Sequence, residues 1–162
     1  MTKAEKVLGK LSEKASVPLE VLMRGAETIQ PGIDGRAGNV KVDLKDTTVW
    51  AGTKSKLFVG EGEKDYRPKV RFYNVKKDET PNVKRTPVRV DCNCRSYYFW
   101  FSNANYKAGA HEGKKDKVYI PVPDAERKRA PGPPKNPDSV PGLCKHLYRF
   151  VNNLIDSGLV ED

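Results

Sequence analysis

Asp91-Cys92-Asn93-Cys94-Arg95-Ser96-Tyr97-Tyr98-Phe99-Trp100-Phe101 and, further along, Gly142-Leu143-Cys144-Lys145-His146-Leu147 are the stretches on which the reading of this chain turns. Together they hold all three cysteines and one of the two histidines, as C-x-C and C-x-H. Three thiolates and one imidazole can close a tetrahedron around Zn²⁺. A C-x-C turn aims both sulfurs to one side once it leaves the pleat. A Cys just ahead of a helix and a His in its first turn converge in the same way. A closed Cys3His set leaves no position for water, so the expected metal role of Cys92, Cys94, Cys144 and His146 is structural. Three competing readings stand beside it. The cysteines can be small buried hydrophobes. Cys92 and Cys94 can form a redox pair, though a C-x-C disulfide is strained. Cys144 and His146 can form a catalytic dyad, though residues two apart face different directions on a helix.

Around these stretches the periodicity of apolar residues changes along the chain. Thr2-Lys3-Ala4-Glu5 has the form of a capping box, followed by Val7, Leu8, Leu11 and Ala15 at helical spacing. Pro18 suits the first turn of a second helix, with Leu22, Ala26 and Ile29 on one face and Pro31-Gly32 as the stop. Residues 2–30 thus predict a helical hairpin. Gly32, Gly35 and Gly38 mark a loop. Alternation then predicts strands at Val40–Leu44, Thr47–Ala51, Lys56–Val59, Lys69–Val75 and Thr86–Cys92, with Asp46 and Gly52 as turn residues. The aromatic run Ser96–Ser102 reads as a further strand buried on both faces, and Lys117–Val122 as a short edge strand because Pro121 lacks a donor. Seven of the twelve prolines lie between 121 and 141, in a basic loop that regular structure cannot include. Leu143, Leu147, Phe150, Val151 and Leu154 form a last helical stripe ending near Gly158. The expected fold is α+β: a hairpin domain over 1–32, then a zinc-stapled domain over 33–162. The latter has about six antiparallel strands, a Pro-rich basic loop at 121–142 and a C-terminal helix.

Here the pattern resembles a known family. VDCNCRSYYFWF followed by VPGLCKHLYRFVNNLI is similar to the SWIM-type zinc finger, whose motif is C-x-C-x(n)-C-x-H and whose order is strands, then helix. The resemblance covers residues 88–158 and implies that Cys92, Cys94, Cys144 and His146 bind zinc. The spacer from Arg95 to Leu143 is 49 residues, longer than is usual in that family. SWIM modules serve both DNA binding and protein–protein contacts. A second resemblance, carried by PPKNPDSVPGLCKHLYRF after the aromatic CNCRSYYFWFS, is to small structural proteins of large tailed bacteriophages. It implies an adaptor locked by zinc in a neck, tail or baseplate, made in the cytoplasm and incorporated in a virion.

The chain of 162 residues carries 30 Lys+Arg against 21 Asp+Glu, a net charge of +9. The excess lies in segments 54–89, net +6, and 107–149, net +5. Such a field favours nucleic acid or an acidic protein face, and also serves plain solubility. Mean hydropathy is −0.70, and no apolar run reaches the ~18 residues of a membrane span. The odd cysteine count argues against a complete disulfide framework. Asn103, Asn105, Lys107, Lys114 and Lys115 can touch phosphate. Tyr97–Phe101 can stack on bases, although core packing is the plainer reading. His111 reads as a turn residue, with metal ligation or acid/base work as its sharper alternatives. No nucleophile, carboxylate pair or nucleotide loop emerges, so no enzyme and no small-molecule substrate is expected. The expectation is a non-enzymatic assembly protein with protein partners. The alternative is a nucleic-acid module using the two basic segments.

Overall fold

The computed structural model describes residues 15–50, 55–76, 78–113, 118–120 and 136–162. The capping box, the first helix of the hairpin, Gly52, Lys114, Lys115 and the loop over 121–135 lie outside the described residues. What remains is a mixed α+β arrangement built on one antiparallel sheet.

Helix α1 (Leu19–Ile29) starts at Pro18 and buries Leu22 and Ala26, as the spacing predicts. Its glycine-rich sequel is a short helix, α2 (Ile33–Gly38), where a loop was expected. Ile33 and Ala37, four apart, are both buried, and this inward pair outweighs the glycines' poor helix propensity.

The sheet follows in chain order: β1 (Val42–Trp50), β2 (Ser55–Gly62), β3 (Lys69–Phe72) and β4 (Val88–Asp91), each antiparallel to the next. Asp46 is not a turn. The register shifts between Leu44 and Asp46, so a bulge absorbs Lys45 and one strand runs through. Two expected strands therefore become one. A 3₁₀ turn (Glu63–Asp65) joins β2 to β3. β3 ends sooner than its alternation predicts, since Asn74 takes φ 58°.

Register explains the two faces. Phe58, Val70 and Val90 lie opposite one another across β2, β3 and β4, and Phe72 pairs with Val88. All five are buried, and the Phe58 and Phe72 rings meet edge to face at 5.9 Å. The other face is polar. Arg71 pairs with Glu112 at 2.6 Å, Tyr73 donates to the same carboxylate at 3.1 Å, and Arg89 lies over the Tyr73 ring.

Residues 96–102 are helical, not a strand. A widened π turn (Tyr97–Phe101) runs into α3 (Ser102–Lys107). The Cys94 carbonyl accepts the Tyr98 N–H and starts the coil at once. Tyr97 and Phe101, four apart, point inward, while Tyr98 and Phe99 are 38% and 37% exposed. The aromatic run is therefore not buried on both faces, and the described sheet has four strands instead of six. Residues 118–120 form no strand.

Helix α4 (Lys145–Asp156) closes the fold. It buries His146, Leu147, Phe150, Val151 and Leu154, and it packs beside β1, where Asn153 donates to the Val42 carbonyl. Gly158 takes φ 79° and ends it. Leu19, Leu22 and Ala26 of α1 share one buried cluster with these residues and with Cys92, Cys94 and Cys144. Among the described residues, no helix is long and apolar enough to cross a membrane.

Candidate metal centre

Each of the two pairs, Cys92 with Cys94 and Cys144 with His146, sits where a helix begins. Cys92 and Cys94 follow directly on β4, and the coil from Arg95 starts at once. Cys144 is the N-cap of α4, and His146 lies in its first turn. Helix starts present free N–H groups and the positive end of the peptide dipole, which favours thiolate over thiol. The Tyr97 N–H points at the Cys94 sulfur, 3.4 Å away.

The fold brings the four expected ligands together. Ligand atoms of Cys92, Cys94, Cys144 and His146 all lie within 4.8 Å of one another, and all four residues are buried. A tetrahedron with bonds of about 2.3 Å has sulfur–sulfur edges of about 3.8 Å, so only small inward shifts separate this cluster from a metal-bearing spacing. No disulfide forms. His146 Nδ1 is buried without a hydrogen-bond partner among the described residues. A buried imidazole beside three buried thiols is a donor set that a metal ion satisfies.

The thiols are electrostatically unequal. Hydrogen bonds from Cys144 and Cys92 hold Cys94 far below the usual thiol range, helped by His146 and the Tyr97 amide. Burial pushes Cys144 well up, as do its bonds to the other two sulfurs. Cys92 is also raised: its bond with Cys144 works the other way, but the bond with Cys94, burial and the Cys94 charge outweigh it. The metal-free cluster therefore favours one thiolate and two thiols. A divalent cation would reverse the balance, because all three sulfurs would bind it as thiolates.

Two asparagines hold the surroundings. Asn93, the residue between the first two cysteines, accepts the Arg67 N–H at 2.7 Å and donates to the Asp65 carbonyl at 3.0 Å. It thereby fixes the loop carrying Tyr66, whose ring lies 4.4 Å from that of His146. Asn105 grips Gly142 with both amide atoms, accepting its N–H and donating to its carbonyl, each at 2.9 Å. Gln30, at the C-cap of α1, donates to the Leu143 carbonyl at 3.2 Å. The approach to Cys144 is thus clamped from α1 and α3 together. Spacing arguments pass over Asn93, Tyr66 and Gln30. The one local signal is the choice of Asn, which mimics a peptide group, inside the C-x-C turn.

The other expected site residues separate from this centre. His111 is buried and 2.6 Å from the Tyr97 hydroxyl, which donates to the Val90 carbonyl at 2.9 Å. The same hydroxyl accepts from the Asn105 amide at 3.4 Å, so His111 closes a buried polar network. His111 is thus a framework residue alongside β4 and no member of the four-ligand cluster. Asn105 is fully buried and engaged with Gly142, so it does not reach phosphate; Lys107 is exposed and Asn103 half-buried. An open cleft of about 570 Å³ borders the centre, with Cys94 and His146 on its wall. No family model, curated protein or solved structure matches the chain.

Proposed function

We propose that Cys92, Cys94, Cys144 and His146 hold a structural Zn²⁺ in a SWIM-like centre, and that the chain is a non-enzymatic assembly protein. On this reading it works as a component of a larger particle such as a phage neck, tail or baseplate. The observation that supports the metal is the buried Cys3His cluster, its ligand atoms within 4.8 Å of one another. Sulfur-rich tetrahedral sets suit Zn²⁺ over the harder divalent cations. Four protein donors fill that geometry, and a metal so enclosed fastens segments instead of activating water. It fastens the end of β4 to the start of α4, and through them the sheet to the helices.

Elemental analysis of the purified chain tests the metal, with one zinc per chain expected. Removing it with a strong chelator is expected to lower the melting temperature by roughly 10–20 °C. An unchanged melt after verified metal removal overturns the structural role. Mass spectrometry of particles purified from the native source tests the assembly role. Recovery at fixed stoichiometry with particle proteins supports it, and recovery solely as a free monomer overturns it.

A further inference from the structure

We propose that the cleft beside the metal centre binds single-stranded nucleic acid, with a phosphate group inside it and a neighbouring base stacked on Phe99. The inference goes beyond the assembly reading and can fail without it.

The cleft gathers cations that are far apart in sequence. Arg36 comes from α2, Lys64 from the turn after β2, Arg95 from the start of the aromatic coil and Lys145 from the start of α4. Glu63 is the one carboxylate on its wall. All four cations are exposed, and none is ion-paired among the described residues. A loaded centre of three thiolates, one imidazole and Zn²⁺ carries one negative charge, so the wall keeps a positive surplus after that compensation. Four like charges on the wall of one cleft, set against one carboxylate, favour the entry of an anion. The first turn of α4 opens beside the cleft with no capping side chain and no acidic residue, so its free amides add to the same field.

Arg95 links this cleft to an aromatic platform. Its guanidinium lies 5.9 Å from the Phe99 ring centroid. Phe99, Tyr98 and Tyr119 form a triangle of edge-to-face rings with centroids 5.0–5.6 Å apart. Tyr98 and Phe99 are more than a third exposed, which wastes apolar area unless something flat covers it. An anion site sharing Arg95 with a ring suits a nucleotide strand: the cations track the backbone and the rings take unpaired bases. A duplex hides its base faces, and an acidic peptide has no use for the platform.

Fluorescence anisotropy with labelled oligo-dT of fifteen nucleotides, on the zinc-loaded full chain, tests the proposal. Binding is expected to weaken steeply with salt. Arg95→Ala or Lys145→Ala is expected to weaken it at least tenfold and to lower the salt slope by about one each. Phe99→Ala is expected to weaken it about fivefold or more with the salt slope unchanged. The control pair Lys84→Ala and Arg85→Ala, exposed residues outside the cleft, is expected to change it less than twofold. Charge reversal at Arg36 and Lys64, outside the ligand segments, keeps the test valid if Arg95→Ala or Lys145→Ala loses metal. No binding in 50 mM salt overturns the proposal. So does equal loss in the control pair, or equal affinity for polyglutamate with no effect of Phe99→Ala.

Discussion

Cys144 shows what one atom does here. Cys144 stands at the N-cap position of α4, and its sulfur is the partner of both other thiols and a fully buried member of the core. Cys144→Ser replaces it with an oxygen that binds zinc poorly and leaves a hydroxyl in an apolar pocket. Stoichiometric zinc should be lost in elemental analysis, and the melt should fall as far as chelation takes it. His146→Ala should be milder. Three thiolates remain, and water can reach the vacated position from the cleft; zinc affinity drops while the melt of the loaded protein falls by less than half as much. The meeting of these four residues was legible in the sequence because the chemistry allows few substitutes: three sulfurs and a nitrogen in two tight pairs have few other uses. The asparagines that hold the centre were not legible. An Asn in a loop carries no periodicity, and its partners, Arg67, Asp65 and Gly142, are set by chain paths that no local pattern encodes.

Helices and strands differ in how openly they were written. α1 and α4 show a stripe of apolar residues on one face, and both form where that stripe lies. β3 and β4 alternate cleanly because one face is apolar and the other holds the Arg71–Glu112 pair. The aromatic coil misleads because Tyr, Phe and Trp favour strands in general. The decisive spacing, Tyr97 to Phe101, was present but hidden by the rings that face outward. α1 also illustrates close packing. A methyl group on Gly25 would overlap the Pro141 carbonyl oxygen, and one on Gly142 would sit 2.7 Å from the Phe101 ring. Gly25→Ala should therefore push α1 away from the segment leading to Cys144. A loss of about 1–3 kcal/mol is expected by denaturant titration. Zinc release to a competing chelator should be faster, since Gln30 moves with the helix.

For the whole molecule, the thiol cluster ties stability to acidity. Cys94 has its folded-state pKa below the ordinary thiol value of 9.0, whereas Cys92 and Cys144 have theirs above it. In the metal-free protein below pH 9 the unfolded chain holds more thiol protons than the native one, so these groups make stability rise with pH. Above pH 9 the native state holds more, and stability falls. Urea titrations of the metal-free protein across this range should trace a maximum near the ordinary thiol pKa. Monotonic behaviour would contradict the inequality of the three sulfurs. Zinc binding at pH 8 should expel two thiol protons, not three, measurable by calorimetry in buffers of different ionisation heat.

The clamp between Asn105 and Gly142 and the four-ligand cluster share one property: each joins chain before residue 113 to chain after residue 136. A covalent path between the two sides is therefore redundant once the zinc is in place. A protease that cuts within 121–135 should give two bands on a denaturing gel yet a single species by native mass spectrometry. The fragments should part only when a chelator is added. The chain would then behave as a metal-gated heterodimer of its own halves.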